Sequence, residues 1–251
     1  PCAGSDYSST RAKSIQPMEV KTPMPESILS PRLFKFLREL KKNNNREWFT
    51  EHKSRYLEDV LMPAVELVAA LERPLAKAAP MLSVVPKKHG GSVMRIYRDT
   101  RFAKDKTPYK TNVGISVRHQ ANADIHAPGV YVHLDPSECF IGAGCWRPER
   151  GVLSDIRAAI DEDPKGWKRA RDQKTFREHF DLAGESLKRS PKDYSQDHPM
   201  IHDLRRIDFI AVAPLTQGQL TSPDVVSLLI TRIKQANPLM RFLCDAIDVP
   251  Y

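Results

Sequence analysis

The chain has 251 residues, of which 41% are hydrophobic and 28% charged, and a formal net charge of +8. This is the profile of a soluble globular protein, one large domain or two small ones. No apolar run approaches the roughly 18 residues of a membrane span. The four cysteines, at 2, 139, 145 and 244, are too few and too scattered for a disulfide framework. Pro1 to Ser5 show neither the charged nor the apolar region of a signal peptide. A reducing cytoplasm is therefore the expected compartment, with no membrane partner.

In chain order, residues 1–24 are rich in Ser, Thr, Pro and Lys and lack periodicity, so they are expected to form a disordered tail. Residues 25–251 are expected to form one domain. Ser30-Pro31 reads as an N-cap with Pro at the first helical position. Leu33, Phe34, Leu37 and Leu40 then recur at helical spacing. Asn43 to Asn45 stop that helix, and Asn44 with Glu47 three residues on reads as the capping box of the next. Trp48, Phe49, His52, Tyr56 and Val60 mark its apolar face, with a kink or break expected at Pro63. Helix continues over 64–79, with a new turn from Pro74.

The period then changes. Residues 92–99, 112–119, 129–134 and 137–142 read as short strands, with a tight turn at Asp135-Pro136-Ser137. After Trp146, two helical stripes follow, Leu153/Ile156/Ile160 and Trp167/Phe176/Phe180. Residues 183–206 read as a polar surface loop that could lie over the 95–110 segment as a lid. Phe209–Ala213 is a further strand. Ser222-Pro223-Asp224 opens a helix to about Ala236, and Asn237-Pro238 opens a last one. Strands that follow one another without an intervening helix argue for a mainly antiparallel central sheet flanked by helices, an α+β fold.

The charge is not evenly spread. Residues 87–118 hold nine Lys or Arg and two Asp, a net +7, which leaves about +1 for the other 219 residues. Its centre is RIYRDTRFAKDKTPYK, 95–110. A localised field of one sign suits an anionic partner. Arg95, Arg98, Arg101, Lys104, Lys106 and Lys110 are the candidate cations; Asp99 and Asp105 are braces, with Arg101 or a later Lys across the turn the expected partner of Asp99. Tyr109 and Trp146 are candidate contact surfaces. The segment has no glycine, so any phosphate here is held by side chains and not by a backbone cradle. The expected ligand is an anionic, phosphorylated small molecule. The alternatives are nucleic-acid binding, an enzyme using Asp99 or Tyr109 for proton transfer, and an internal Arg–Asp–Tyr network that only holds the loop.

RIYRDTRFAKDKTPYK also resembles the signature of a mainly bacterial family, domain-of-unknown-function family 2461. The resemblance runs from about Ile28 to Asp248 and includes FLRELKKNNNREWFTEHKSRY (36–56), GAGCWRPE (142–149) and LKRSPKDYSQDHPMIHDLRR (187–206). It implies no activity, cofactor or catalytic residue.

Other motifs are weaker. Gly142-Ala143-Gly144 permits close backbone approach where the last central strand meets a helix. His119, His126 and His133 recur every seven residues, a spacing without ligand meaning, and no strong zinc spacing exists. Cys145 reads as a buried thiol rather than a nucleophile. The sequence specifies no metal, no cofactor and no catalytic group.

Overall fold

The computed structural model describes residues 27–120 and 128–251. The expected tail over 1–24 and His126 lie outside these residues. The fold is α+β, with helices, four strands of an antiparallel sheet, then helices again with two strands that return to the sheet before the last helices.

Helix α1 (Pro31–Lys42) starts as its sequence reads, with Pro31 in the first turn and the Ser30 hydroxyl accepting from Arg32 N–H. Its stripe Leu33, Phe34, Leu37 and Leu40 is buried. Helix α2 (Arg46–Glu51) is capped by Asn45, not Asn44; the Asn45 side-chain oxygen accepts from Trp48 N–H. Helices α3 (Lys53–Tyr56) and α4 (Met62–Ala78) are joined through a π turn, Leu57–Leu61, with no break at Pro63. Pro63 offers no N–H to a carbonyl four residues back, and the turn widens just before it, so that Met62 N–H reaches Leu57 O. Pro74 lies inside α4 and does not start a new turn.

Among the described residues, six strands pair antiparallel in the order β1-β2-β3-β4-β6-β5. They are β1 (Leu82–Ser83), β2 (Val113–His119), β3 (Gly129–Leu134), β4 (Cys139–Cys145), β5 (Asp181–Ala183) and β6 (Phe209–Leu215). The β3–β4 turn is held by Asp135, whose carboxylate accepts from Ser137 N–H. Strand β4 runs three residues past its expected end, so Gly142, Ala143 and Gly144 belong to the sheet and not to a connection.

Two further expectations need correction. Residues 92–99 do not form a regular strand. They touch the sheet through single bridges, Val93 to Ile115 and Tyr97 to Tyr109. Between these bridges one arm advances four residues and the other six, so the second arm bulges and breaks the ladder. The side-chain alternation expected for a strand fails with it: Ile96 is buried while Met94 is exposed. At the other end of the chain, Pro238 does not open a new helix. It lies within α10 (Val225–Asp245). The Asn237 amide donates to Ala78 O and its oxygen accepts from the Tyr251 hydroxyl, tying the helix through that position.

Register makes the sheet two-faced. Ile115, Val132, Ile141 and Ala213 form one row across β2, β3, β4 and β6, and all are buried. Each large apolar member contributes about 1.5–3 kcal/mol. Helix α10 packs on this side against β4, α4 and α6 (Pro164–Asp172), which brings in the buried Trp167. Phe176 of α7 (Lys174–Arg177) and Phe180 join the same core. The next row, Ser116, Tyr131, Gly142 and Val212, points the other way. It is only half-buried.

The two glycines of β4 differ in a way that can be tested. Gly144 has φ +126°, and a Cβ there would lie 2.1 Å from Phe209 O. A Cβ on Gly142 meets only ordinary contacts, the nearest Ala211 O at 3.7 Å. Gly144→Ala is expected to lose about 3 kcal/mol or more in urea unfolding, and Gly142→Ala less than about 1 kcal/mol. Equal losses would contradict this register.

Candidate functional site

An antiparallel sheet with one covered face normally turns polar residues to water on the other. This one does not. Its outer face carries Tyr131, His133, Phe140, Ile210 and Val212, separated by Gly114, Gly129, Gly142 and Gly144. Glycine leaves the strand backbone bare, so the taller side chains stand as walls around a low floor. The result is a groove of about 460 Å³ walled by Met94, Tyr131, Phe140, Trp146, Ile210 and Val212, with Ser116 and Arg118 as polar members. That volume is in the range of small-molecule sites.

One corner of the groove is held in an unusual conformation. Arg147 has φ 47°, the left-handed region that side chains disfavour. The buried carboxylate of Asp208 maintains it by accepting from Arg147 N–H at 2.7 Å and from Glu185 N–H at 2.8 Å. Gly184, at φ +96°, lets the second chain approach, since a Cβ there would strike Asp208. This turn leaves the Trp146 ring 52% exposed at the groove, with the Arg147 guanidinium 5.2 Å from its centroid.

At the opposite end, Asn112 emerges from the bulge of the 109–115 arm. Its amide lies 3.5 Å from the Tyr131 hydroxyl and 3.4 Å from His133 Nδ1, and those two groups are 3.2 Å apart. The Phe140 ring stacks on His133 at 4.7 Å. Burial pushes the Tyr131 phenol up, opposed by the Asn112 hydrogen bond. Burial pushes the His133 imidazole down, opposed by Asp135 and Glu138.

The basic segment forms a separate feature. Arg101 makes a two-pronged pair with Asp99, at 3.0 and 2.6 Å, and Arg98 bonds to Asp105 at 2.5 Å and to Thr107. Arg101 draws the Asp99 carboxyl well below the usual range, and Arg98 brings Asp105 down to about 2. Lys106 Nζ donates to Thr100 O. Lys104 and Arg95 are exposed. Lys110 is half-buried, and desolvation followed by Arg95 lowers its ammonium. Tyr109 is buried, stacked on Phe49 at 4.1 Å. Both backbone groups of Tyr109 are held by the Asn44 amide, at 2.9 and 3.1 Å. That bond explains why Asn44 is not the helix cap.

The structure does not bring Trp146 to the basic segment. The Asp99–Thr107 tip lies past the start of β2, while Trp146 follows the end of β4, which runs parallel to β2 through β3. They occupy opposite ends of the sheet. Nor do residues 183–206 lie over the basic segment. They start from the last residue of β5, at the far edge of the sheet, and contain the short helix α8 (Ile201–Leu204). His198 bonds to Asp161, and Arg157 bonds to Arg206 O, both contacts with α5 (Arg150–Glu162).

Together these elements make an α+β protein with an aromatic-walled groove on one face of its sheet. A family model described as a conserved hypothetical protein, DUF2461, matches residues 32–242, and the chain belongs to that family. No curated protein and no solved structure matches it. Among the described residues no helix is long and apolar enough to cross a membrane.

The Asn112–Tyr131–His133 cluster gives a pH test. A histidine favoured in its neutral form binds its proton less readily when folded than when unfolded. Its effect on stability is therefore intact above about pH 6.5 and is lost progressively as pH falls from there through the lower folded value. By NMR, His133 is expected to titrate below about 6.5. Asn112→Asp, which places a carboxylate beside the ring, should raise the midpoint. An unchanged midpoint would place Asn112 away from the imidazole.

Proposed function

We propose that this protein binds a small molecule with a flat, largely apolar body and one anionic group, phosphate or carboxylate, in the groove on the uncovered sheet face. The observation that carries this reading is the groove itself, an aromatic-walled volume of about 460 Å³ over a glycine floor, on a face that would otherwise be polar. A flat ring system can lie on the bare backbone of Gly142 and Gly144 with Tyr131, Phe140 and Trp146 at its edges. The anionic group belongs at the Trp146 end, where Arg118 lines the groove and Arg147 lies over the indole. The expected anionic ligand is thus kept, but its site moves from the basic segment to the sheet. The free, buried thiols of Cys139, Cys145 and Cys244 support a reducing compartment such as the cytoplasm.

A fluorescent anion of this shape, 1-anilinonaphthalene-8-sulfonate, provides the test. The native protein is expected to bind it saturably at one site, with blue-shifted emission. N-phenyl-1-naphthylamine, which lacks the sulfonate, should bind more weakly. Gly142→Val, which fills the floor, and Trp146→Ala should each weaken binding about fivefold or more, equivalent to roughly 1 kcal/mol. Absence of a saturable site, or equal binding by both variants and the parent, would refute the proposal.

A further inference from the structure

We infer that the exposed tip of the basic hairpin, Asp99–Thr107, is a docking element for single-stranded nucleic acid, separate from the groove. Its mounting is firm. Asn44 holds the Tyr109 backbone, Phe49 stacks on the Tyr109 ring, and Tyr97 packs beside it at 5.5 Å. Within the tip, Arg98 ties Asp105 and Thr107 together, and Lys106 closes on Thr100 O. A loop of this length, preorganised by its own side chains, loses little further freedom on binding.

The tip presents rings and cations together. Phe102 is 95% exposed, and the Arg101 guanidinium lies 5.9 Å from its ring centroid. Tyr97 is 52% exposed. Arg95 and Lys104 are exposed on the same hairpin. A phenyl ring held in water next to arginine and lysine is the pairing that unstacked bases and their phosphates recognise. The base covers the ring and the phosphates meet the cations. A duplex keeps its bases stacked inside and has no free face for Phe102. An acidic peptide would satisfy the cations but not the ring. A small ligand would have no enclosure, since nothing covers Phe102. The Arg101–Asp99 and Arg98–Asp105 pairs do not oppose this role. Their carboxylates are 44% and 60% exposed, so a phosphate can share or replace them on the guanidinium.

The experiment is fluorescence anisotropy with labelled dT12 and U12 across a salt series. The parent should bind, with log K falling against log salt at a slope of about −2 to −3, the value for three or four phosphate contacts on a single strand. Phe102→Ala should weaken binding about fivefold or more without moving Tm, since the ring touches little else. Arg95→Gln/Lys104→Gln should flatten the slope by about 1.4. Gly142→Val should bind the oligonucleotides as the parent does, which separates this surface from the groove. Three results would each overturn the proposal: no binding at low salt, tighter binding of a 12-base-pair duplex, or competition by polyglutamate with Phe102→Ala unaffected. The last would identify an acidic protein partner instead.

Discussion

The helices of this protein cover one face of its sheet, and the other face is left to find its own solution. Everything on the covered side follows from burial. The rows through Ile115, Val132 and Ile141 meet α10, which in turn packs on α4 and α6. On the uncovered side the same register turns out Tyr131, Phe140, Ile210 and Val212. An apolar face of this kind has no helix of its own among the described residues, and glycine at Gly142 and Gly144 lowers its centre into a groove. The conformational freedom of Gly144 serves the fold, because Phe209 O approaches it closely. The bareness of Gly142 is not required by its neighbours, which meet an added Cβ at ordinary distance. A glycine that packing does not need, at the floor of a walled groove, is what a ligand lying on the backbone would require.

Two polar links set the ends of this arrangement. At one end the buried Asp208 holds two chain reversals through backbone N–H groups and so fixes Trp146 and Arg147 at the groove. At the other, Asn44 clamps Tyr109 and joins two segments 65 residues apart. The second link accounts for a hairpin that stands without a regular ladder. The Asn44 amide and the stacked Phe49 and Tyr109 rings, with Tyr97 tilted beside them, reinforce the backbone bonds that join the two arms at their bridges. The hairpin's arginines are partly matched by its own aspartates, which makes the tip a formed object rather than a loose run of charge.

Much of the fold was legible in the sequence. The α1 stripe, the strands near 112–119, 129–134 and 209–213, and the Asp135 turn all follow from local periodicity and turn chemistry. What failed was nonlocal. Pro238 looks like a helix start until Asn237 is seen bonded to Ala78 and Tyr251. Asn44 looks like a cap because its partner, Tyr109, is far away in sequence. Among the candidate site residues, spacing left Asp99 a choice between Arg101 and a later Lys, and the structure shows Arg101. The groove was not read, although β3 carries its signal: Tyr131 and His133 alternate with Val130, Val132 and Leu134. Aromatic residues and glycines where an outer face should carry charge set that face apart from an ordinary solvent face. Trp146 was grouped with the basic segment, and only the strand register shows that it occupies the other end of the sheet.

The most direct test of the central claim is an amide and indole NMR map of the protein titrated with 1-anilinonaphthalene-8-sulfonate. The shifts are expected to cluster on Gly129, Gly142, Gly144 and the Trp146 indole N–H, leaving residues 98–107 in place. Shifts centred on 98–107, or spread over the helices that cover the other face, would contradict a ligand site on the open sheet.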